Sequence, residues 1–134
     1  MVSVISYLVL KKLVGKEHYL HALYEYIMNN ASPGVLEQKY SINRRLIVSM
    51  KQRIREKNSI GEKIAKRAIP IILKTPMPQL TIVINGEISF FCRICGKEYN
   101  TIYPEDHIAK KHREILRNYT RIVIEEIKSK RVIR

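Results

Sequence analysis

The sequence predicts a mainly α-helical fold with one small β-hairpin. Apolar residues recur at helical spacing over residues 17–29 and 43–57. Two short runs of strand-forming residues, LTIVI and EISFF, flank Asn85-Gly86, a pair that favours a tight two-residue hairpin turn. With 134 residues, 46% of them hydrophobic and 28% charged, the chain has room for one compact domain, or for a small domain with an appended module.

The N-terminal half divides into four helical segments. Residues 17–29 form the first, and the Asn and Ser-Pro-Gly residues at 29–34 end it. A short second helix begins at Pro33, and after a tight turn at 40–42 a third helix covers residues 43–57. Residues 59–74 predict a fourth helix, or a helix followed by a strand, interrupted at Pro70, and TPMPQ is a linker. The buried face of the third helix is predicted to hold Leu46, Ile47, Met50 and Ile54.

The segment VLEQKYSINRRLIVSMKQRI resembles the second helix, turn and recognition helix of helix-turn-helix DNA-binding transcription factors. The resemblance covers residues 17–57 and rests on their pattern. One departure is Ser41, which stands in the turn where the family often has a small residue, commonly Gly. The resemblance implies a helix-turn-helix domain over residues 1–75. The β-hairpin is then either the wing of a winged helix-turn-helix or a connection to the segment that follows it.

Polar and basic side chains of residues 43–57 lie opposite the apolar face when the segment is placed on a helix. Arg pairs with guanine, Gln pairs with adenine, and an exposed Val contacts a thymine methyl. Val48 is the informative residue, because a solvated face has little reason to carry it unless it contacts another part of the fold or a second subunit. The residues of this helix predicted to contact DNA are Asn43, Arg44, Arg45, Val48, Ser49, Gln52 and Arg55.

Residues 91–112 contain both cysteines of the chain and two of its four histidines. Their spacing, C-x2-C-x11-H-x4-H, is typical of a tetrahedral zinc site with no open position, which is a structural site. Residues 90–112 resemble the two-cysteine, two-histidine zinc-finger family, with Tyr99 where that family usually has its core Phe. The resemblance implies a ββα zinc finger in a second unit, residues 76–134. One Zn²⁺ per chain would be held by Cys92, Cys95, His107 and His112.

The segment also departs from the finger family. Its loop between the second Cys and the first His is one residue shorter. Pro104 falls at or near the position of the family's core Leu, so Ile102 or Tyr103 must take the place of that core side chain. The family's base-reading positions fall on Asn100, Tyr103 and Asp106, which are poorly suited to reading bases. We therefore predict that the finger holds the fold together and contacts only the DNA backbone. The predicted backbone contacts are Lys110, Lys111 and Arg113.

Beyond the finger, residues 113–131 predict an extended C-terminal helix with an apolar stripe. A finger of this size is too small to cover such a stripe, so we predict that a homodimer buries it. Two-fold pairing would also place two recognition helices one or more DNA turns apart. The alternative is that the stripe packs on the first helix and on MVSVISYLVL of the same chain. The stripe consists of Ile115, Tyr119, Ile122, Val123 and Ile127.

The net charge predicts a polyanionic partner. The formal charge is +13, and +9 of it lies between Lys39 and Lys74. A solvated basic surface or an anionic lipid surface is the alternative reading. The chain has no apolar run near the ~20 residues that cross a bilayer and no signal-peptide pattern. A CxxC pair fits metal ligands in a reducing compartment, so we expect a cytoplasmic protein, in the host cytoplasm if viral. Abundant Ile, Lys and Glu fit a thermophilic source or an AT-rich genome.

The predicted function is that of a double-stranded DNA-binding transcription regulator, similar to the small regulators of archaea and their viruses. Two alternatives stay open. One is an RNA-binding or ribosome-associated zinc protein, and the other is a polymerase-interacting module that uses the finger and the C-terminal helix. Neither an enzyme nor a small-molecule substrate is predicted, because we find no nucleophile–base pair and no phosphate-binding Gly loop in the sequence.

Overall fold

A computed structural model describes residues 1–84 and 89–133, with side chains described as far as residue 130. The described residues form seven helices and one three-stranded antiparallel sheet, so the prediction of a mainly helical fold is confirmed. The elements are α1 (Val2–Leu13), α2 (Glu17–Asn29), α3 (Pro33–Tyr40), α4 (Arg44–Lys57), α5 (Gly61–Lys74), β1 (Thr81–Val83), β2 (Phe90–Cys92), β3 (Lys97–Tyr99), α6 (Pro104–Lys111) and α7 (Arg113–Ile133).

Helices α1 and α5 form the centre of the buried core. Helix α5 packs against α1, α2, α4 and α7, while α1 also contacts α6 and α7. Helix α1 is apolar around much of its circumference because it has neighbours on several sides. Helix α5 instead buries one broad apolar face, and its other face exposes Lys63, Lys66 and Arg67. One buried cluster includes Ile5 of α1, Ile69 of α5 and Val123 of α7. Both predicted units therefore contribute to one core, and the division at residue 75 stays a prediction.

Helix α5 runs through Pro70 without a break, so the predicted interruption and the alternative strand are wrong. Proline removes one helical hydrogen bond, but here the helix continues for one further turn and buries Ile69, Ile71 and Ile72. The Lys12 ammonium donates to the carbonyl oxygens of Ile72, Leu73 and Thr75 at 2.8, 3.1 and 2.7 Å. These bonds satisfy carbonyl groups that the end of the helix leaves without helical partners.

Helices α3 and α4 are joined by a short turn. Ser41 adopts the left-handed conformation with φ of 57°, and Ile42 is buried beneath the turn. The side chain of Asn43 then caps α4, because its Oδ1 accepts the Arg45 amide at 2.8 Å. The predicted buried face of α4 is correct for Ile47, Met50 and Ile54. The prediction is wrong for Leu46, which is 45% exposed because α4 buries only a narrow stripe against its neighbours.

The turn between α4 and α5 brings the two backbones unusually close together. The Asn58 carbonyl accepts the Gly61 amide at 2.9 Å, and the Asn58 side chain accepts the Ile60 amide at 3.0 Å. A Cβ atom at Gly61 would overlap the carbonyl oxygen of Ile54, far inside contact distance. Gly61 is therefore required by the spacing between the two helices.

The small sheet joins the helical core to the cysteine-containing segment. Strands β1 and β2 pair antiparallel with Thr81 opposite Cys92, and β2 pairs with β3 with Cys92 opposite Lys97. The predicted hairpin turn at Asn85-Gly86 lies outside the described residues. The Leu80 amide donates to the Leu13 carbonyl at 2.7 Å, which ties the start of β1 to the end of α1.

Helix α7 begins at Arg113 directly after α6, as predicted. Its stripe is covered largely by α1 and α5 of the same chain, which is the intrachain alternative. Val123 and Ile127 are buried, whereas Ile122 is 41% exposed. The homodimer stays a prediction, but the apolar area of the stripe does not argue for it, because the chain itself buries most of that area.

Among the described helices, none has both the length and the low charge that a bilayer-crossing helix requires.

Candidate metal centre and nucleic-acid interface

Four side chains, from β2, the turn after it, α6 and the residue that follows α6, meet at one point beside the sheet. Cys92 ends β2, Cys95 follows in the turn before β3, His107 lies on α6, and His112 lies between α6 and α7. One ligand atom from each residue lies within 4.8 Å of the other three. The predicted ligands are thus brought together, and the group is suited to hold a metal ion.

The turn and helix that carry these residues have clear local causes. The Gly96 amide donates to the Cys92 carbonyl at 2.8 Å, and Gly96 has φ of 69°, so glycine suits this tight turn. Pro104 opens α6 at its first position, where no amide hydrogen is needed, and Glu105 and Asp106 follow at the positive end of the helix dipole.

The distances among the ligand atoms fit a tetrahedral ion. The Nε2 atom of His112 lies 3.5 Å from Cys92 Sγ and 3.3 Å from Cys95 Sγ, and Nε2 of His107 lies 3.5 Å from Cys95 Sγ. Zinc bond lengths and a tetrahedral angle place sulfur and nitrogen ligands about 3.6 Å apart. The Cys95 amide also approaches Cys92 Sγ at 3.5 Å. Three of the six donor pairs are therefore spaced as a small tetrahedral metal ion requires.

The protonation of two of these residues depends on their surroundings. Burial lowers the pKa of His107, and the neighbouring His112 and Lys111 lower it further, which favours the neutral imidazole that binds metals. Burial raises the pKa of the Cys92 thiol, although backbone amides oppose that shift. A bound divalent cation reverses this preference because it stabilises the thiolate.

An aromatic cluster supports one side of the metal group. Phe90 is fully buried and stacks on Tyr99 with ring centroids 5.4 Å apart, and the His107 ring lies 4.4 Å from Tyr99. Ile108 is also fully buried. Of the two residues expected to replace the finger family's core Leu, Ile102 is half-buried, and Tyr103 does not take this role because it is 56% exposed.

Glu105 connects the metal-holding helix α6 to α1. Its Oε2 accepts from the ammonium groups of Lys11 at 2.9 Å and Lys16 at 2.8 Å. Burial raises the pKa of Glu105, but the two ammonium groups outweigh burial and lower that pKa to about 2. Burial also lowers the pKa of Lys11, with Glu105 opposing part of that shift, so the carboxylate is the more firmly charged partner. The two ion pairs hold α6 against the helical core.

Glu105→Gln is expected to lower the free energy of unfolding by about 1–3 kcal/mol at pH 7, because charge-assisted hydrogen bonds to two half-buried lysines are weakened. The folded-state pKa of Glu105 lies below its ordinary value of 4.5. Its contribution is therefore complete above about pH 4.5 and is lost as pH falls toward 2. Denaturant titrations at pH 7 and pH 3 measure this difference.

The matched control for Glu105 is Asp106→Asn, in the same helical turn but exposed. It removes one acidic group from the same helix terminus and should change the free energy of unfolding by much less. Equal losses for the two variants would mean that the helix dipole, and not the ion pairs, accounts for the effect.

A cleft between α3 and α4 gathers half of the ten residues predicted to contact DNA. It measures about 580 Å³. We name it the α3–α4 cleft, and its lining residues are Ser32, Pro33, Gly34, Arg44, Arg45, Val48, Ser49 and Gln52. Five of the seven residues predicted to contact DNA from this helix line the cleft. The first turn of α3 completes it, and that contribution was not predicted, although Ser-Pro-Gly had marked the start of a helix.

The remaining predicted contacts lie outside the α3–α4 cleft. Asn43 caps α4, and Arg55 forms an ion pair with Glu62, which also lies 3.7 Å from the Lys51 ammonium. Within the cleft, Arg44 pairs with Glu37 at 2.8 Å, and this ion pair is exposed to solvent. Exposed pairs contribute little to stability, so Arg44 can exchange its carboxylate partner for another anion. Lys110, Lys111 and Arg113 are exposed around the end of α6.

No protein-family model matches this chain, and no curated protein or solved structure is similar to it. A function for this chain therefore has to be inferred from the chemistry of the metal group and of the α3–α4 cleft.

Proposed function

We propose that this protein is a double-stranded DNA-binding transcription regulator that reads the major groove with α4 and uses a structural Zn²⁺ at the Cys92, Cys95, His107 and His112 group. The observation that carries the proposal is the α3–α4 cleft, in which Arg45, Val48 and Gln52 are grouped on the exposed face of one helix. The helix-turn-helix of the proposal consists of α3, the turn at Ser41 and α4.

The chemistry of α4 suits a DNA groove. An α-helix fits the major groove of B-DNA, where Arg can donate to guanine and Gln can pair with adenine. Val48 is 42% exposed, so its side chain is only partly packed within the chain and can contact a thymine methyl. Leu46, which is 45% exposed on the same helix, adds a second apolar contact at the edge of this surface.

The first turn of α3 suits a DNA phosphate. Its amide groups form the positive end of a helix dipole beside the guanidinium of Arg44, which lies next to Gly34. A phosphate oxygen at this point would set the register of α4 in the groove without specifying sequence. The net charge of +13 supplies the longer-range attraction to DNA.

The Cys92 and Cys95 turn and α6 would act as a stabilising module under this proposal. Zinc with four protein ligands has no coordination position for a substrate, so its role is to hold β2, β3 and α6 together. Lys110, Lys111 and Arg113 would contact the DNA backbone. The zinc identity of the metal rests on its Cys₂His₂ donors, because soft thiolates and imidazoles together favour zinc.

Arg45→Ala and Gln52→Ala are each expected to weaken binding to the preferred duplex by about 1–3 kcal/mol and to relax base preference at one position. Lys110→Ala and Lys111→Ala should weaken all duplexes to a similar extent, because phosphate contacts carry no sequence information. Selection from a random duplex library, followed by titrations at several salt concentrations, measures both effects.

The matched control is Arg53→Ala, on the same helix and exposed but outside the α3–α4 cleft. It should weaken binding without changing base preference. Equal or tighter binding to matched RNA duplexes or single strands would favour the RNA-binding alternative. Loss of sequence preference only in the α6 variants would show that the finger segment, and not α4, reads the bases.

A further inference from the structure

A second cleft, between the start of α5 and α7, combines an apolar floor with a basic rim. It measures about 530 Å³ and lies apart from the α3–α4 cleft, with which it shares no lining residue. We name it the α5–α7 cleft. Its apolar lining residues are Met1, Ile60, Ile64 and Ile127, and its basic lining residues are Lys63, Lys66 and Arg67.

The apolar part of the α5–α7 cleft is accessible to solvent. Ile60 is 54% exposed and Met1 is 38% exposed, while Ile64 and Ile127 form the deeper surface at 7% and 5%. Large apolar side chains grouped around a concavity are a typical feature of a binding surface, because their contact with water is unfavourable.

The charged residues that line this cleft all have one sign. Three of the described lining residues are basic and none is acidic. The nearby acid on α5, Glu62, is held on another side of the helix by Arg55 and Lys51. The rim therefore attracts an anionic partner, and the described lining offers no carboxylate to oppose it.

The combination of floor and rim distinguishes between classes of partner. A second copy of this chain carries +13 and would bring further positive charge to the rim. Nucleic acid would satisfy the rim, but its phosphates and polar base edges would leave the isoleucines without apolar contacts. An amphipathic helix with apolar residues on one face and carboxylates beside them satisfies both parts of the cleft.

We propose that the α5–α7 cleft is a docking site for an acidic amphipathic helix of another protein. Apolar side chains of that helix fill the space over Ile60, Ile64 and Ile127. Its carboxylates pair with Lys63, Lys66 and Arg67 at the rim. The inference does not depend on DNA binding, but together with it the protein would connect a DNA site to an acidic protein partner through two separate surfaces.

The experiment uses the full chain with its metal and a synthetic amphipathic helical peptide that carries leucines on one face and glutamates on the other. Methyl NMR of isoleucine and methionine locates the contact, and calorimetry measures the affinity. Peptide addition is expected to shift the methyl signals of Ile60, Ile64, Ile127 and Met1. The same peptide with lysines in place of the glutamates should bind at least about tenfold more weakly, since its charges oppose the rim.

Two variants test the floor and the rim separately. Ile60→Ser removes an apolar contact at an exposed helix-capping position where serine is favourable, so the fold should be retained. A Lys66→Glu, Arg67→Glu double variant reverses the rim charge. Each is expected to weaken peptide binding at least about tenfold, whereas Lys74→Glu, exposed on the same helix outside the cleft, should change it by less than about threefold.

The proposal is overturned if the acidic peptide does not bind, or if it binds Ile60→Ser and the charge-reversed variant as tightly as the unchanged protein. It is also overturned if duplex DNA, and not the peptide, shifts the cleft methyl signals, because the cleft would then belong to a nucleic-acid surface. Ile60→Ser should leave duplex DNA affinity unchanged, which separates failure of this inference from failure of the proposed function.

Discussion

Protein purified without added metal is expected to contain one zinc ion per chain, and removal of that ion should lower the free energy of unfolding by at least about 4 kcal/mol. The reason is that β2, the turn after it and the end of α6 are joined through four ligand atoms lying within 4.8 Å of one another. Without the ion, a buried Cys92 and a buried His107 remain as polar groups in an apolar setting. Elemental analysis and thermal unfolding with and without a chelator measure the two quantities.

Variants make the zinc prediction specific to this group of residues. Cys95→Ser alters a half-buried ligand with little change in volume and should abolish stoichiometric zinc. His18→Ala, at an exposed histidine of α2, should retain it. Fully folded protein with a zinc content near zero would contradict the prediction. Amide hydrogen exchange should show that chelation disorders the sheet and α6 more than the helices of the core, because the core contains its own buried apolar cluster.

The second large effect is expected at Gly61. Gly61→Ala should lower the free energy of unfolding by at least about 2 kcal/mol, because the new methyl group would overlap the Ile54 carbonyl and force α4 and α5 apart. The strain falls on backbone atoms, which cannot move aside as a flexible side chain can. Chemical denaturation followed by circular dichroism measures the change.

Gly34→Ala provides the matched control for Gly61. A Cβ atom at Gly34 would have its nearest neighbour at 3.5 Å, which is ordinary contact. Alanine also has a higher helix propensity than glycine, so this variant should be neutral or more stable by up to about 1 kcal/mol. Equal stability of the two variants would show that the backbones of α4 and α5 do not approach closely enough at Gly61 to exclude a methyl group.

The sequence predicted the helices wherever periodicity and end signals agreed. The segment at 17–29 has one apolar face and is followed by Asn30, which adopts the left-handed conformation at the end of α2. Pro33 likewise marked the start of α3. The four candidate ligands were recognisable because their spacing along the chain reflects the geometry of a small metal module, in which all contacts are local.

Features that depend on distant parts of the chain were not predicted. Helix α1 is apolar over much of its surface, so periodicity did not identify it. Local rules placed a break at Pro70, but burial of the neighbouring isoleucines outweighs the lost hydrogen bond. The ion pair of Glu105 with Lys11 joins residues 94 apart in sequence, and the requirement for glycine at Gly61 arises only when α4 and α5 meet.

The packing of α1 against α7 has a consequence for synthesis of the chain on the ribosome. The Ser6 and Thr120 hydroxyl groups meet at 3.1 Å although their positions are 114 apart in sequence. The apolar surface of α1 that α7 covers therefore stays uncovered until α7 has been translated. Contacts of such long range slow folding and leave apolar surface open to aggregation in the meantime. Helix α1 therefore reaches its final environment only after α7 has been synthesised.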